Sequence, residues 1–173
     1  MSDIEFKRLI AVKLTTNEAK SIMSLSLPYF TAGPVIKGFG RGSVELGIPT
    51  ANFPEHVVDQ LPSEFSCGIY FGWANVDDGP VYKMVMSIGW NPFYKNVKKS
   101  METHIIHRFD QDFYGSTLKV AIVGYIRPEM TFNSLEELIA AIKDDVRTAE
   151  EALDNLEFAP FRSHSFFAIE NHT

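Results

Sequence analysis

The chain is short of most things that simple functional readings need. It has one cysteine, Cys67, in 173 residues. No internal disulfide is available, and no cysteine-based zinc cage can form. Basic residues are outnumbered, with 16 Lys and Arg against 22 Asp and Glu, a formal charge of -6 and a pI near 5.3. Nucleic-acid affinity rests on phosphate neutralisation, so a nucleic-acid partner is not expected. No apolar run approaches the roughly 20 residues of a membrane span. The first residues, Met1 to Lys7, lack a basic stretch leading into an apolar one, so no secretory signal is read there. The expectation is a cytoplasmic protein with no membrane partner. Internal repeats and low-complexity segments are absent. So are the Walker Gly-Lys-Ser/Thr ending and the Gly-x-Ser-x-Gly elbow.

What is present suffices for a core. Apolar residues make up 45% of the chain and charged residues 22%. A chain of this length is one ordinary domain. Residues 1–27 are mixed and polar, with Ala19, Ile22 and Met23 as a weak helical face. They read as an extension before a domain of residues 28–173. From about 30 to 127 helical periodicity is missing. Short apolar or alternating runs are separated by Gly, Pro and Asn, as in consecutive strands. Gly68–Val76 and Val81–Ile88 flank Asp77-Asp78-Gly79-Pro80 as a hairpin. Met101–Phe109 and Thr117–Ile126 flank Asp112-Phe113-Tyr114-Gly115 as a second pair. The period then changes. Ser134 to Glu137 is a capping-box pattern, and Leu135, Leu138, Ile139, Ile142, Val146, Ala149 and Leu153 follow at helical spacing. Strands followed by a helix exclude βαβ architectures and predict an α+β, mainly β domain.

Five stretches carry candidate chemistry, each with a plainer alternative. Gly38, Gly40 and Gly42 offer backbone N–H groups to a phosphate, or form a flexible turn. Thr50 and Asn52, between Pro49 and Pro54, share one face of an extended segment. They offer hard neutral oxygens to Mg²⁺, or form a local side-chain turn. Glu102 projects from a strand as a candidate proton acceptor, or is a solvated surface glutamate. His104 and His107 are three apart, so on a strand they face opposite ways and cannot chelate together. Trp90, Phe93 and Tyr94 stack a planar ring or cap one end of the sheet. Arg127 binds a ligand or pairs with Glu129.

The order and wording of these segments closely resemble the eukaryotic riboflavin kinase (flavokinase) family. The resemblance is carried by Gly38-Phe39-Gly40-Arg41-Gly42-Ser43, Leu46 to Pro54 with Pro49-Thr50-Ala51-Asn52 at its centre, Gly68 to Ala74, Ser87 to Asn96, Lys99 to Ile105, Asp112 to Gly115, and Val123 to Glu129. It runs from about Tyr29 to near Leu153. It implies a six-stranded antiparallel Greek-key β-barrel with a C-terminal helix packed across it. It also implies transfer of the ATP γ-phosphate to the 5′-hydroxyl of riboflavin, giving FMN and ADP, with Mg²⁺ as the metal and Zn²⁺ or Mn²⁺ as substitutes. Carried over by position, Glu102 is the expected catalytic base. Gly38, Gly40, Gly42, Thr50, Ile105, His107 and Tyr114 are expected on the ATP, and Arg127 and Met130 on the flavin. Thr50 and Asn52 are the expected metal ligands. Val44 and Met130 depart from the more polar residues usual at those places. Met130 is therefore expected to act through its backbone. A monomer is expected. Two other readings remain: a flavin- or nucleotide-binding module without activity, and an oligonucleotide-binding barrel, which the acidic charge disfavours. The chain is too short to hold a second, FMN-adenylating domain beside the barrel.

Overall fold

The computed structural model describes residues 26–38, 47–90 and 98–168. Gly40, Gly42, most of the glycine-rich loop, the 19–23 helical face and residues 91–97 lie outside them.

Alternating side chains set the architecture. In the run Gly68–Val76 (β3), Tyr70 and Ala74 pack into one apolar cluster, while Phe71 and Trp73 pack into another. Both faces are therefore covered. Tyr82–Trp90 (β4) alternates in the same way, with Met84, Met86 and Ile88 inside and Val85 outside. The chain reverses between these strands at Val76–Gly79, where Asp77 and Asp78 adopt φ values of 48° and 56°. Two successive left-handed residues make a type I′ turn, whose twist suits a hairpin. Side-chain bonds hold the two aspartates there. Asp77 Oδ1 accepts from the Thr117 N–H at 2.8 Å, and Asp78 Oδ1 accepts from Lys119 Nζ at 2.6 Å.

Lys99–Ile105 (β5) and Thr117–Arg127 (β6) follow, and β6 returns beside β3. The neighbour order β6-β3-β4-β5 is a Greek key. Tyr29–Pro34 (β1) lies outside β6, and the two-residue Ala51–Asn52 (β2) lies outside β5, with every pairing antiparallel. The six-stranded sheet curls until its edges meet. They meet at one bridge rather than a ladder: the N–H of Ile36, just past β1, donates to the carbonyl of Asn52 at 3.0 Å. The expected barrel is thus a curled sheet with a narrow seam. β5 also stops earlier than expected, at Ile105. There the His107 N–H turns back onto the Ile105 carbonyl at 2.8 Å.

The interior is filled by Phe65, Tyr70, Met84, Met86, Ile88, Met101, Leu118 and Ile122. A short helix, Glu55–Val58 (α1), adds Val57 and Val58 to that core. The second cluster lies on the outer face, under the long helix Leu135–Leu153 (α2) and two 3₁₀ turns at Ala159–Ser163 and Ser165–Phe167. Ser134 caps α2 by accepting the Glu137 N–H at 3.2 Å, and Glu137 reaches back to the N–H of Asn133. Ala149, Ala152 and Leu153 pack among Phe71, Trp73 and Val85. Burying a Leu side chain contributes about 1.5–3 kcal/mol. Lys83 on β4 pins the end of the helix, donating to the Glu150 carbonyl and to Asp154. A side chain at Gly124 would overlap the Phe71 ring, so only glycine lets that ring lie flat on β6.

Candidate active site

The pleat that sends Met101, Thr103 and Ile105 into the core sends Glu102 and His104 to the outer face. There Glu102 lies opposite Asn52 on β2 and Ser87 on β4. Thr50 precedes β2 by one residue and falls on the same side as Asn52. Its hydroxyl hydrogen-bonds the Glu102 carboxylate. Three residues from two distant segments, Thr50, Asn52 and Glu102, therefore form one cluster. Burial pushes the Glu102 carboxyl above its ordinary range, and the bond from Thr50 partly offsets the rise. The backbone of Gly38 lies against the Asn52 amide so closely that any side chain at Gly38 would overlap it.

Two clefts open on either side of this cluster. One, of about 860 Å³, lies between the outer face of the sheet and the first half of α2. Ile69, Val85, Leu138 and Ile142 make its walls apolar, and Ser87, Glu102, Arg127 and Met130 also line it. The other, of about 880 Å³, lies at the open end of the sheet, among Val35, Ala51, Ile105, His107 and the 108–114 segment. Thr50 and His104 line both clefts. Each is within the size range of small-molecule sites.

The structure sorts the sequence-expected residues into groups. Ile105, His107, Tyr114 and Thr50 share the second cleft. Arg127 and Met130 share the first with Glu102. His107 is held by aromatic neighbours. Its ring stacks on Tyr82 with centroids 3.9 Å apart and planes 13° apart, and Phe109 meets it edge-on. Arg127 does not pair with Glu129. It forms a bidentate ion pair with Asp145 of α2, at 2.8 Å from Nε and 2.7 Å from Nη2, and Nη1 donates to the Pro128 carbonyl. Asp145 is only 4% exposed. Burial raises its pKa, and Arg127 opposes the rise.

Sequence reasoning missed Asp145 and the cleft-lining role of Leu138 and Ile142. A signal for Asp145 existed: it interrupts the apolar stripe between Ile142 and Ala149. A charge on a core-facing helical stripe needs a partner. The donor set at the cluster suits a hard divalent cation, since Thr50 and Asn52 add neutral oxygens beside one carboxylate. Such a cation would take its remaining ligands from phosphate oxygens.

Comparison with known proteins agrees with this fold. A family model described as riboflavin kinase (flavokinase) matches residues 25–153. Riboflavin kinase of Mus musculus is 62% identical over 144 residues, covering 83% of this chain and 93% of that protein. Riboflavin kinase of Homo sapiens is 61% identical over 143 residues, covering 83% and 92%. Among solved structures, riboflavin kinase from Trypanosoma brucei is similar, with a TM-score of 0.67 and 29% identity over 84% of this chain and 92% of that one.

Proposed function

The chain belongs to the riboflavin kinase family, and from that premise we propose that its two clefts are the two substrate sites of one phosphoryl transfer, with Glu102 as the base between them. The enzyme converts riboflavin and ATP to FMN and ADP. The observation that carries the residue assignment is Thr50, which lines both clefts and hydrogen-bonds Glu102.

Phosphoryl transfer asks a protein for positioning and charge stabilisation more than for covalent chemistry. The cleft beside α2 has the apolar walls that a planar flavin ring needs. The cleft at the open end takes ATP, with Ile105, His107 and Tyr114 around the nucleotide. Gly38, Gly40 and Gly42 supply donors over the phosphates. Arg127 acts on the flavin side, with three of its five N–H donors engaged by Asp145 and Pro128 and the others left for the flavin, and Met130 serves through its backbone. Thr50 and Asn52 would hold Mg²⁺. When bound, that ion neutralises phosphate charge, and Zn²⁺ or Mn²⁺ would do so in its place. Glu102 accepts the proton of the terminal ribityl hydroxyl. Its half-buried setting raises its proton affinity toward that of a useful base. Thr50 holds the carboxylate in place.

The catalytic domain is assigned to residues 28–173, with 1–27 as an extension. We read the enzyme as a cytoplasmic monomer. Among the described residues no helix is long and apolar enough to cross a membrane. The test is direct. Purified protein with riboflavin, ATP and Mg²⁺ should yield chromatographically resolved FMN that EDTA abolishes. Asn52→Ala should raise the Mg-ATP requirement and leave the KM for riboflavin alone. An unchanged Mg-ATP requirement would remove Asn52 from the metal site.

A further inference from the structure

His104 is adjacent to the machinery and has no role in the scheme above. Its place follows from how β2 ends. The β2–β5 ladder pairs Asn52 with Glu102 and Ala51 with Thr103. The next pair in register would be Thr50 with His104, but the ladder stops at Ala51. Pro49 has no N–H and cannot continue it. Backbone pairing therefore ends at Ala51, the residue after Thr50. A side chain takes over. His104 Nδ1 lies 2.9 Å from the Pro49 carbonyl oxygen. A carbonyl only accepts, so Nδ1 carries the proton. Thr50 is thus held on both sides, by the Ala51 ladder after it and by the His104 bond before it.

We propose that His104 is a positioning residue for phosphoryl transfer: it fixes the Pro49–Thr50 backbone so that the Thr50 hydroxyl stays on Glu102. This rests on reading Glu102 as the base. It separates the two histidines of this segment. His107 faces the nucleotide cleft alone, whereas His104 stands where both clefts meet. A partner that orients a reacting group typically accounts for about 10–100-fold in activity.

The two side-chain amides test it, because each places a donor at a different ring position. Asn puts its amide nitrogen near Nδ1, and Gln puts its own near Nε2. His104→Leu should lower kcat at least about tenfold and raise the Mg-ATP requirement, with the KM for riboflavin within about threefold of wild type. His104→Asn should recover most of that loss, and His104→Gln should not. Nitrogen-15 spectra of the ligand-free protein should show the Nδ1-protonated tautomer at His104. A kcat for His104→Leu within twofold of wild type would overturn the proposal. So would rescue by Gln rather than Asn, which would assign the work to Nε2. If the Leu variant fails to fold, the Asn and Gln pair still decides. Glu102→Gln run alongside keeps the outcomes apart. Full activity in that variant would overturn the base assignment, whereas loss there with an indifferent His104 would overturn only the present inference.

Discussion

Replacing Glu102 with Gln separates two effects of burial on this carboxylate. The substitution keeps shape and volume and leaves an oxygen for the Thr50 hydroxyl. It removes the negative charge and the ability to take a proton. General-base catalysis contributes roughly 10²–10⁴-fold, so kcat should fall by at least about 100-fold, near 2.7 kcal/mol of barrier. Stability should move the other way. Burial raises the Glu102 pKa above the ordinary 4.5, so ionisation is less favourable in the folded protein than in the unfolded chain. The contribution of protonated Glu102 is present below the unfolded pKa and is lost as pH rises through the folded one. At neutral pH the wild type bears this cost, and Gln does not. The variant should melt at or above the wild-type Tm at neutral pH, and its advantage should shrink in acid. The acidic limb of kcat/KM for the wild type should have its midpoint above the ordinary glutamate value. FMN formation followed by chromatography, and calorimetry across pH, provide the readouts. A kcat within threefold of wild type would refute the base role. A clear loss of Tm at neutral pH would refute the burial argument.

Thr50→Val removes the bond that holds Glu102 and partly offsets the rise in its pKa. The acidic limb should therefore move to still higher pH, and kcat should fall about tenfold, as for loss of an orienting partner. Asp145→Ala leaves the Arg127 guanidinium short of its two carboxylate acceptors. Breaking a buried pair costs about 3–5 kcal/mol, and the low end applies because Arg127 is 19% exposed. That predicts a Tm lower by roughly 6–12 °C at about 2–4 °C per kcal/mol, with a higher KM for riboflavin. Gly124→Ala drives a methyl group into the Phe71 ring and should destabilise by about 1–3 kcal/mol with kinetic constants little changed. Tyr82→Leu frees the His107 ring and should raise the KM for ATP, with the KM for riboflavin as its internal control.

Much of the fold was legible because the signals are local. Gly68–Val76 was expected as a strand and is one, since aromatic and branched residues alternate there between two turn clusters. Ser134 marked the start of α2 because N-capping is a contact within one helical turn. The Thr50–Asn52–Glu102 grouping was half legible. Spacing put Thr50 and Asn52 on one face, but only the β2–β5 register brings Glu102 across from them. Arg127 shows where local reasoning stops. Its nearest acid in sequence is Glu129, yet its partner lies 18 residues away on another element. Which helix residue faces a strand end depends on how α2 crosses the sheet, and spacing does not encode that crossing. The same crossing turns Leu138 and Ile142 from buried core residues into cleft walls.

The narrow seam of the sheet has a consequence for how the enzyme would fail under stress. β2 is held by two ladder pairs and one bridge, whereas β3 and β6 share an eight-residue ladder. Thr50 and Asn52 sit at the shortest strand pairing among the described residues. Short, edge-held elements open locally before the rest of a domain. Under rising denaturant, turnover should therefore disappear while the Trp73 environment, buried under α2, is still intact. A bound nucleotide spanning that pairing should draw the two transitions together. The working site then serves as a gauge of the seam, and substrate as its clasp.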